Sequence, residues 1–482
     1  MKKAEIEKTN WTICPTCQGR GKKSQGLNKK ARIDYQIALE EFEKNNTDGI
    51  APILPKGHLY PCLNCSGSGL IRSINPPEAD TENYPHIAII GGGIGGIALA
   101  VACLHRSIPF TLYERDTDFN IRSQGYGLTL QQASKAIEGL GIFNLKEGVI
   151  SKRHVVHTTD GKIIGEWGMK KWVTEEKKTN PRRTNIHIAR QSLRLALLEQ
   201  LGGNDTIQWN HQLIDIKLCK DKKAELQFNI NGTIKTTKAD LVVGADGIRS
   251  TVRKLLIPED KSPLRYLDCM VILGICPLAN LKGLKNALLD SATVFQTANG
   301  NERIYIMPYA SDSVMWQLSF PMSEEDAKSL SKKGSQALKE EACRRTQWHE
   351  PIPQILAATL TTYISGYPVY DRELLDLELL KKTEQVTLIG DAAHPMSPFK
   401  GQGANQALLD ALTLARAIKK ECRPSSNWKT IGIRESFLNE FEIEMLKRSA
   451  KKVTDSAIAA HYLHSESVLQ EGDEPRGRFR KK

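Results

Sequence analysis

The sequence predicts an α/β protein built in parts. A Rossmann-like domain carries an inserted antiparallel β-sheet domain, is followed by C-terminal helices, and is preceded by a small zinc-ribbon-like module. Three observations carry this reading. His86–Arg115 reads as strand, glycine turn, helix, strand. Leu267–Pro321 is a succession of strand-like runs with no helix between them. One cysteine–glycine motif occurs twice between Cys14 and Gly69.

The chain of 482 residues is longer than one hydrophobic core supports, so two or three domains are expected. The expected boundaries are 1–73 for the cysteine module, 74–85 for a proline-rich polar linker and 86–265 for the first part of the nucleotide-binding domain. The sheet domain follows over 266–380, the last part of the nucleotide-binding domain over 381–425, C-terminal helices over 426–466 and a basic tail over 467–482. No apolar run reaches the length of a membrane helix, and the first residues lack the apolar core of a signal peptide. A cytoplasmic location without a membrane partner is therefore expected. The net charge of +12 suits anionic ligands such as dinucleotides, and nucleic acid is not expected as a partner.

Cys14-Pro-Thr-Cys17-Gln-Gly-Arg-Gly and Cys62-Leu-Asn-Cys65-Ser-Gly-Ser-Gly are the same C-x-x-C-x-G-x-G pattern. Two thiolates on a short turn fill two corners of a tetrahedron, so Cys14, Cys17, Cys62 and Cys65 make a closed site for zinc. A redox pair needs only one such turn and leaves the duplicated glycines unexplained. The repeat resembles one zinc-binding unit of the cysteine-rich region of DnaJ-type chaperones. Residues 28–46, inserted between the two turns, read as a charged amphipathic helix with Ile33, Ile37, Leu39 and Phe42 on or near one face. Protein binding, RNA binding and stapling a small fold are all open roles for such a module. A protein partner is the one carried forward.

His86–Ile90 is apolar and β-branched, as a buried parallel strand requires. Gly91, Gly93 and Gly96 then give G-x-G-x-x-G, with Gly95 in the same turn. The glycines permit the tight turn, the close approach of backbone to a pyrophosphate, and helix–strand packing. The helix that starts there points its free N–H groups at the phosphates. The second strand, Phe110–Tyr113, ends at Glu114, placed to accept hydrogen bonds from a ribose. Arg115, beside it, joins the cofactor-binding candidates. An ordinary βαβ turn has the same local pattern, and two further stretches decide against it.

Between them, Gly125–Leu130 suggests close backbone approach to a ring system, and residues 131–144 look helical. Val155–Trp172 alternates about a turn at Asp160-Gly161, as a hairpin does, and Glu175–Arg183 reads as a charged loop. A helix with Leu193, Leu197 and Leu198 as its buried stripe follows a short strand, and Arg190 stands at its start, a candidate cofactor contact.

The first of the deciding stretches is Asp240–Leu255. A buried strand ends in the turn Gly244-Ala-Asp246-Gly247, and Ser250 caps a helix with Arg253 expected on its exposed side. Asp246 stands at a strand's carboxyl end, where α/β sheets bind ligands. The inserted sheet should roof a pocket, with Tyr305, Met315 and Gln317 as substrate-contact candidates by residue type. The second deciding stretch is Val386–Ala417. A strand ends in Gly390-Asp391, the turn Met396–Phe399 follows, and Gly401-Gln-Gly403 opens a long helix with Ala404 and Asn405 in its first turn. The N–H groups of that helix point at whatever Asp391 positions, a means of stabilising negative charge. Residues 433–464 form further helices with Phe437, Phe441, Met445 and Leu446 as one apolar stripe, read as a brace, with a gate over the substrate entrance as the alternative.

These three stretches stand in the order and spacing of FAD-dependent class A (aromatic hydroxylase-type) monooxygenases, which the chain resembles from about His86 to Leu463. Within that class, Pro398-Phe399-Lys400-Gly401-Gln402-Gly403 looks like the branch of salicylate hydroxylase-like and tetracycline-inactivating enzymes. Tyr370-Asp371-Arg372 is similar to the family's stretch before the last flavin strand. The resemblance implies a GR2-type FAD-binding fold, FAD with NADPH or NADH as cofactors, and no separate nicotinamide domain. It implies molecular oxygen and a small aromatic or polycyclic substrate, a phenol or enol, tetracycline-like molecules among them. Oxygen would reach that substrate through a flavin C4a-hydroperoxide. By the same resemblance Glu114 binds the adenosine ribose, Arg190 the flavin side, Asp246 and Gly247 the pyrophosphate region, and Gly390 and Asp391 the ribityl chain. Pro398 and Phe399 would border the substrate, which makes Arg190, Phe399 and Gly401 the catalytic candidates. His394 reads as structural, with a general base as the alternative. An isoprenoid-type reductase or dehydrogenase would share this scaffold, and so would a flavoprotein whose zinc module binds partners.

Overall fold

The computed structural model describes residues 9–44, 52, 54–55, 57–121, 126–168 and 185–476. The readings of Gly125, of the Glu175–Arg183 loop and of the tail beyond Arg476 lie outside these residues. The chain forms two compact units, Met1–Glu78 and Ala79–Lys482.

The first unit follows from its repeat. Strand Asn10–Ile13 leads into the first cysteine turn and out through Lys22–Ser24. Leu59–Pro61 leads into the second and out through Leu70–Ser73. The outer strands pair antiparallel with each other, and so do the inner ones. The exchange is reciprocal at the turns, where Cys14 N donates to Gly69 O at 2.8 Å and Cys62 N to Gly21 O at 2.9 Å. This pseudo-symmetry gathers the buried Cys14, Cys17, Cys62 and Cys65, whose sulfurs lie within 4.8 Å of one another. Cys17 Sγ and Cys65 Sγ are 3.7 Å apart, close to the edge of about 3.8 Å that zinc–sulfur bonds of about 2.3 Å give a tetrahedron. Gly21 N and Gly69 N each donate to a sulfur at 3.2 Å, as thiolate ligands require. The inserted helix runs Lys29–Lys44 and buries none of its residues in this unit; Ile33 and Ile37 are about half exposed.

The second unit is built on a parallel five-stranded sheet in the order Ile207–Gln208, Phe110–Tyr113, Ile87–Ile90, Leu241–Gly244, Val386–Leu388. Every residue of Ile87–Ile90 and Leu241–Gly244 is buried, which explains their unbroken apolar character. Helices Ile94–Leu104, Arg190–Leu201 and Gly403–Glu421 pack together beside it, and Ile433, Phe437, Phe441 and Met445 join the same core. A seven-stranded sheet runs in the order Ile163–Trp167, Arg153–His157, Thr293–Ala298, Arg303–Ala310, Ser313–Pro321, Leu264–Pro277, Ile364–Arg372. Trp316, Phe320 and Phe295 fill its core against the helices of 324–358. Among the described residues no helix is long and apolar enough to cross a membrane.

Three expectations change. The hairpin near Asp160-Gly161, assigned to the 86–265 segment, extends the seven-stranded sheet, because Arg153–His157 pairs in parallel with Thr293–Ala298. Half of the 74–85 linker belongs to the second unit: Tyr84 is buried, its ring lies 4.3 Å from Lys419 Nζ, and Asn83 O accepts from Trp428 Nε1 at 2.8 Å. Residues 131–144 form only short 3₁₀ turns, Gln132–Ser134 and Ala136–Leu140, ended by Gly141 at φ +80°.

The cysteine geometry makes a direct prediction. Wild-type protein should carry about one zinc per chain by elemental analysis. Cys62→Ser should lose the metal and make residues 9–73 protease-sensitive, while the parallel sheet and the seven-stranded sheet of the second unit stay resistant.

Candidate active site

The carboxyl ends of the parallel strands face the seven-stranded sheet across a cavity of about 790 Å³. Its floor comes from the glycine turn (Gly93, Gly95), from Gly247, from Gly390 and Asp391, and from Pro398, Phe399, Gly401, Gly403 and Ala404. Its roof includes Phe295, Gln296, Arg303, Tyr305, Met307, Met315, Gln317 and Tyr367. The three substrate candidates chosen by residue type, Tyr305, Met315 and Gln317, therefore all face it.

The turn geometry follows from the glycines. Gly91 adopts φ +111°, and a Cβ there would stand 2.6 Å from Ala245 O. A Cβ at Gly96 would overlap Gly91 O. Helix Ile94–Leu104 has no side-chain cap, so its first N–H groups remain available to a ligand. Glu114 lies beneath the turn, accepting from Gly92 N at 2.6 Å and Asp116 N at 3.0 Å. Arg190 Nη2 lies near Gly93, its guanidinium is 5.9 Å from the Tyr126 ring, and its charge acts on Asp391. Asp391 is open to the cavity yet enclosed by protein elsewhere. This enclosure pushes its carboxyl above the usual range, against the pull of His394 and Arg190.

Several candidates are not in the cavity wall. Ser250 caps helix Thr251–Leu256 as expected, its Oγ accepting from Arg253 N at 2.9 Å, and Asp246 stands behind it, accepting from Ser250 Oγ at 2.5 Å and Thr251 N at 2.6 Å, and so shapes the turn that carries Gly247. Burial raises its pKa against those hydrogen bonds. Asn405 is buried and clamps two segments together. Its Oδ1 accepts from Gln131 N at 2.8 Å and its Nδ2 donates to Thr129 O at 2.9 Å. Arg115 is exposed at the strand end. His394 faces away from chemistry: it is buried, with Nε2 2.7 Å from Asp410 Oδ2. Asp410 also accepts from Gly390 N at 2.8 Å and from Arg448 Nη2 at 2.8 Å.

Arg253 is a correction. It is not exposed but 2% accessible, and donates to Ala392 O at 2.8 Å and Ala393 O at 3.2 Å, so packing against the Gly390-Asp391 turn buries it. Two arginines escaped sequence reasoning. Arg194 is buried and donates to Gly92 O at 2.8 Å and Phe119 O at 3.1 Å. Its signal was a charge inside the Leu193–Leu197–Leu198 stripe. Arg303 is 5% exposed, and its signal was a single charge opening an apolar strand.

A family model described as an FAD binding domain matches residues 85–428. The chain belongs to this FAD-binding family. It is 27% identical to the aurachin C monooxygenase/isomerase of Stigmatella aurantiaca over 74% of this chain and 86% of that protein. The crystal structure of Klebsiella pneumoniae HpxO with FAD and uric acid shares the fold (TM-score 0.65, 18% identity, 80% of this chain and 90% of that one). So does the tetracycline destructase Tet(51) (TM-score 0.54, 20% identity, 80% and 92%). This flavoenzyme is thus an FAD-dependent oxidoreductase of the monooxygenase class. The residues present fit FAD: uncapped helix starts offer free N–H groups, the Asp391 carboxylate opens to the cavity, and glycines stand where a Cβ would intrude.

Two outcomes follow. Gly96→Ala should yield protein without yellow FAD absorbance, because the added methyl cannot share space with Gly91 O. His394 is held above its ordinary pKa by Asp410, which outweighs the opposing effect of burial. The stability from this pair is therefore complete below pH about 6.5 and is lost as pH rises through the higher folded value. Urea midpoints from pH 6 to 9 should fall in the wild type, and the fall should be shallower in His394→Gln.

Proposed function

We propose that this flavoenzyme consumes NAD(P)H and oxygen to hydroxylate an aromatic or polycyclic phenol or enol that binds in its anionic form. The observation that carries the reading is Arg303. Its Nε donates to Gln296 Oε1 at 2.8 Å, and its guanidinium packs 4.9 Å from the Tyr305 ring. Burial lowers its pKa to about 10, so it stays charged at neutral pH, and among the described residues its electrostatic neighbours are Tyr305, Cys269 and His464 rather than a carboxylate. A buried cation facing a cavity calls for a counter-charge, and a phenolate, enolate or carboxylate supplies one.

Bound FAD supplies the oxygen-activating chemistry. The protein's part is to place and shield. Val294, Met307 and Met315 offer an apolar, adaptable surface to a ring. Phe399 borders that ring from the cofactor side. Arg190 and the start of helix Gly403–Glu421, entered through Gly401, stabilise negative charge at the cofactor. Glu114 and Asp391 hold hydroxyls, and a cofactor and substrate that fill the cavity exclude water that would divert oxygen to peroxide. Burial pushes the Tyr305 phenol up to about 12, so it donates as a neutral group. We place the protein in the cytoplasm, where the four-thiol cluster stays reduced for zinc.

The test is NAD(P)H oxidation against a panel of phenols, hydroxybenzoates, quinolones and tetracyclines. One class should raise the rate, and product formed under ¹⁸O₂ should carry one labelled oxygen. Unlabelled product would favour a reductase or dehydrogenase instead. Arg303→Gln removes a charge-assisted contact of about 1.5–3 kcal/mol, so KM should rise about ten- to hundredfold for acidic substrates and little for neutral ones.

A further inference from the structure

Part of the cavity wall comes from a segment that the cofactor fold does not require. Beyond helix Asn439–Tyr462 the chain turns back, and Pro475 and Arg476 reach the cavity. This strap is fastened on both sides. On the sheet side it runs along Ile163–Trp167, the outermost strand of the seven-stranded sheet. Gly472 N donates to Ile164 O at 3.0 Å, and Glu166 N donates to Asp473 Oδ1 at 2.9 Å. Arg476 folds over the same edge, donating to Ile164 O at 3.1 Å and to Gly472 O at 2.9 Å. On the cofactor side, Lys400 Nζ donates to Arg476 O at 3.2 Å. Lys400 belongs to the Pro398–Lys400 turn, directly beside Phe399 and Gly401.

Gly165 is an independent sign that the strap belongs there. It has no left-handed φ that would call for glycine. A Cβ at Gly165 would overlap Gly472 O and stand 3.0 Å from Arg476 Nη2. The strand omits a side chain in the middle of the stretch, Ile164–Glu166, where the strap lies against it. The strap also covers a sheet edge that would otherwise present unpaired backbone groups.

We infer that residues 471–476 are a wall of the reaction cavity, and that Pro475 and Arg476 limit the size of substrate accepted and keep water from the reacting atoms. The consequences for turnover rest on the monooxygenase reading. With the wall in place, substrate-H, O₂, NAD(P)H and H⁺ give substrate-OH, NAD(P)⁺ and H₂O. With the wall open, NAD(P)H, H⁺ and O₂ give NAD(P)⁺ and H₂O₂, and the substrate is left unchanged.

Two full-length-derived variants test this: a chain ending at Gln470, and Gly165→Ala, which displaces the strap without removing it. Both are purified with FAD, and acrylamide quenching of the bound flavin's fluorescence reports access to the cavity. Quenching should rise several-fold in both. Peroxide formed per NAD(P)H should also rise several-fold with a substrate that the wild type couples well, and bulkier phenols should become substrates. Unchanged quenching and unchanged peroxide yield in Gly165→Ala, with hydrogen exchange showing the Gly472 and Glu166 amides released, would overturn the inference. If the wild type shows no substrate-stimulated turnover, the monooxygenase reading fails, and the quenching result alone still decides whether the strap walls the cavity. If the shortened chain does not fold, Gly165→Ala decides.

Discussion

The Asp410 carboxylate has no contact with solvent, and three donors hold it: His394 Nε2, Arg448 Nη2 and Gly390 N. These come from the turn that ends the last parallel strand and from the helix Asn439–Tyr462, while Asp410 itself sits in Gly403–Glu421. One buried anion thus ties together the turn that presents Asp391, the helix that opens at Gly403, and the brace behind both. Removing one member of such a cluster leaves an uncompensated charge, a cost of about 3–5 kcal/mol. This cluster thereby holds the segments that form the floor of the cavity.

The same device recurs around the site. Three sharp turns at the carboxyl edge of the sheet have carbonyls held by a buried arginine from another element, two on helices and one at the end of strand Ile364–Arg372. Arg194 binds Gly92 O beneath the glycine turn. Arg253 binds Ala392 O and Ala393 O beyond Asp391. Arg372, 1% exposed, binds Ile248 O at 3.3 Å in the loop after Gly247. Backbone bent for a cofactor is kept from relaxing by guanidinium groups whose several N–H donors reach separate carbonyls.

The cavity joins two surfaces of different character. Its floor consists of glycines, helix starts and carboxylates, which suit a phosphate- and hydroxyl-rich cofactor. Its roof consists of aromatic and thioether groups around Arg303, which suit a flat, acidic organic molecule. The strap at 471–476 bridges the two, since its partners lie on Ile164 and Glu166 on one side and Lys400 on the other. The cysteine unit shares none of this architecture; its own pseudo-symmetric strand pairing encloses its four thiols.

The sequence by itself determined the short-range features. Strand Ile87–Ile90, the turn at Gly91–Gly96, Glu114 at the next strand's end, Gly390-Asp391 and the four cysteines were legible because glycine φ, helix starts and ligand spacing act over a few residues. Only the tertiary structure decided which face of a helix a charge occupies and which distant strand a hairpin joins. Arg253 read as exposed and is buried, because its partners lie 139 residues away at Ala392. The hairpin near Asp160 read as part of the first segment and joins the sheet through Thr293–Ala298. Arg303, Arg194 and the strap were missed for the same reason. A buried charge is tolerated only where a remote carbonyl, ring or ligand compensates its desolvation, and that compensation is set by long-range packing that no local pattern of residues encodes.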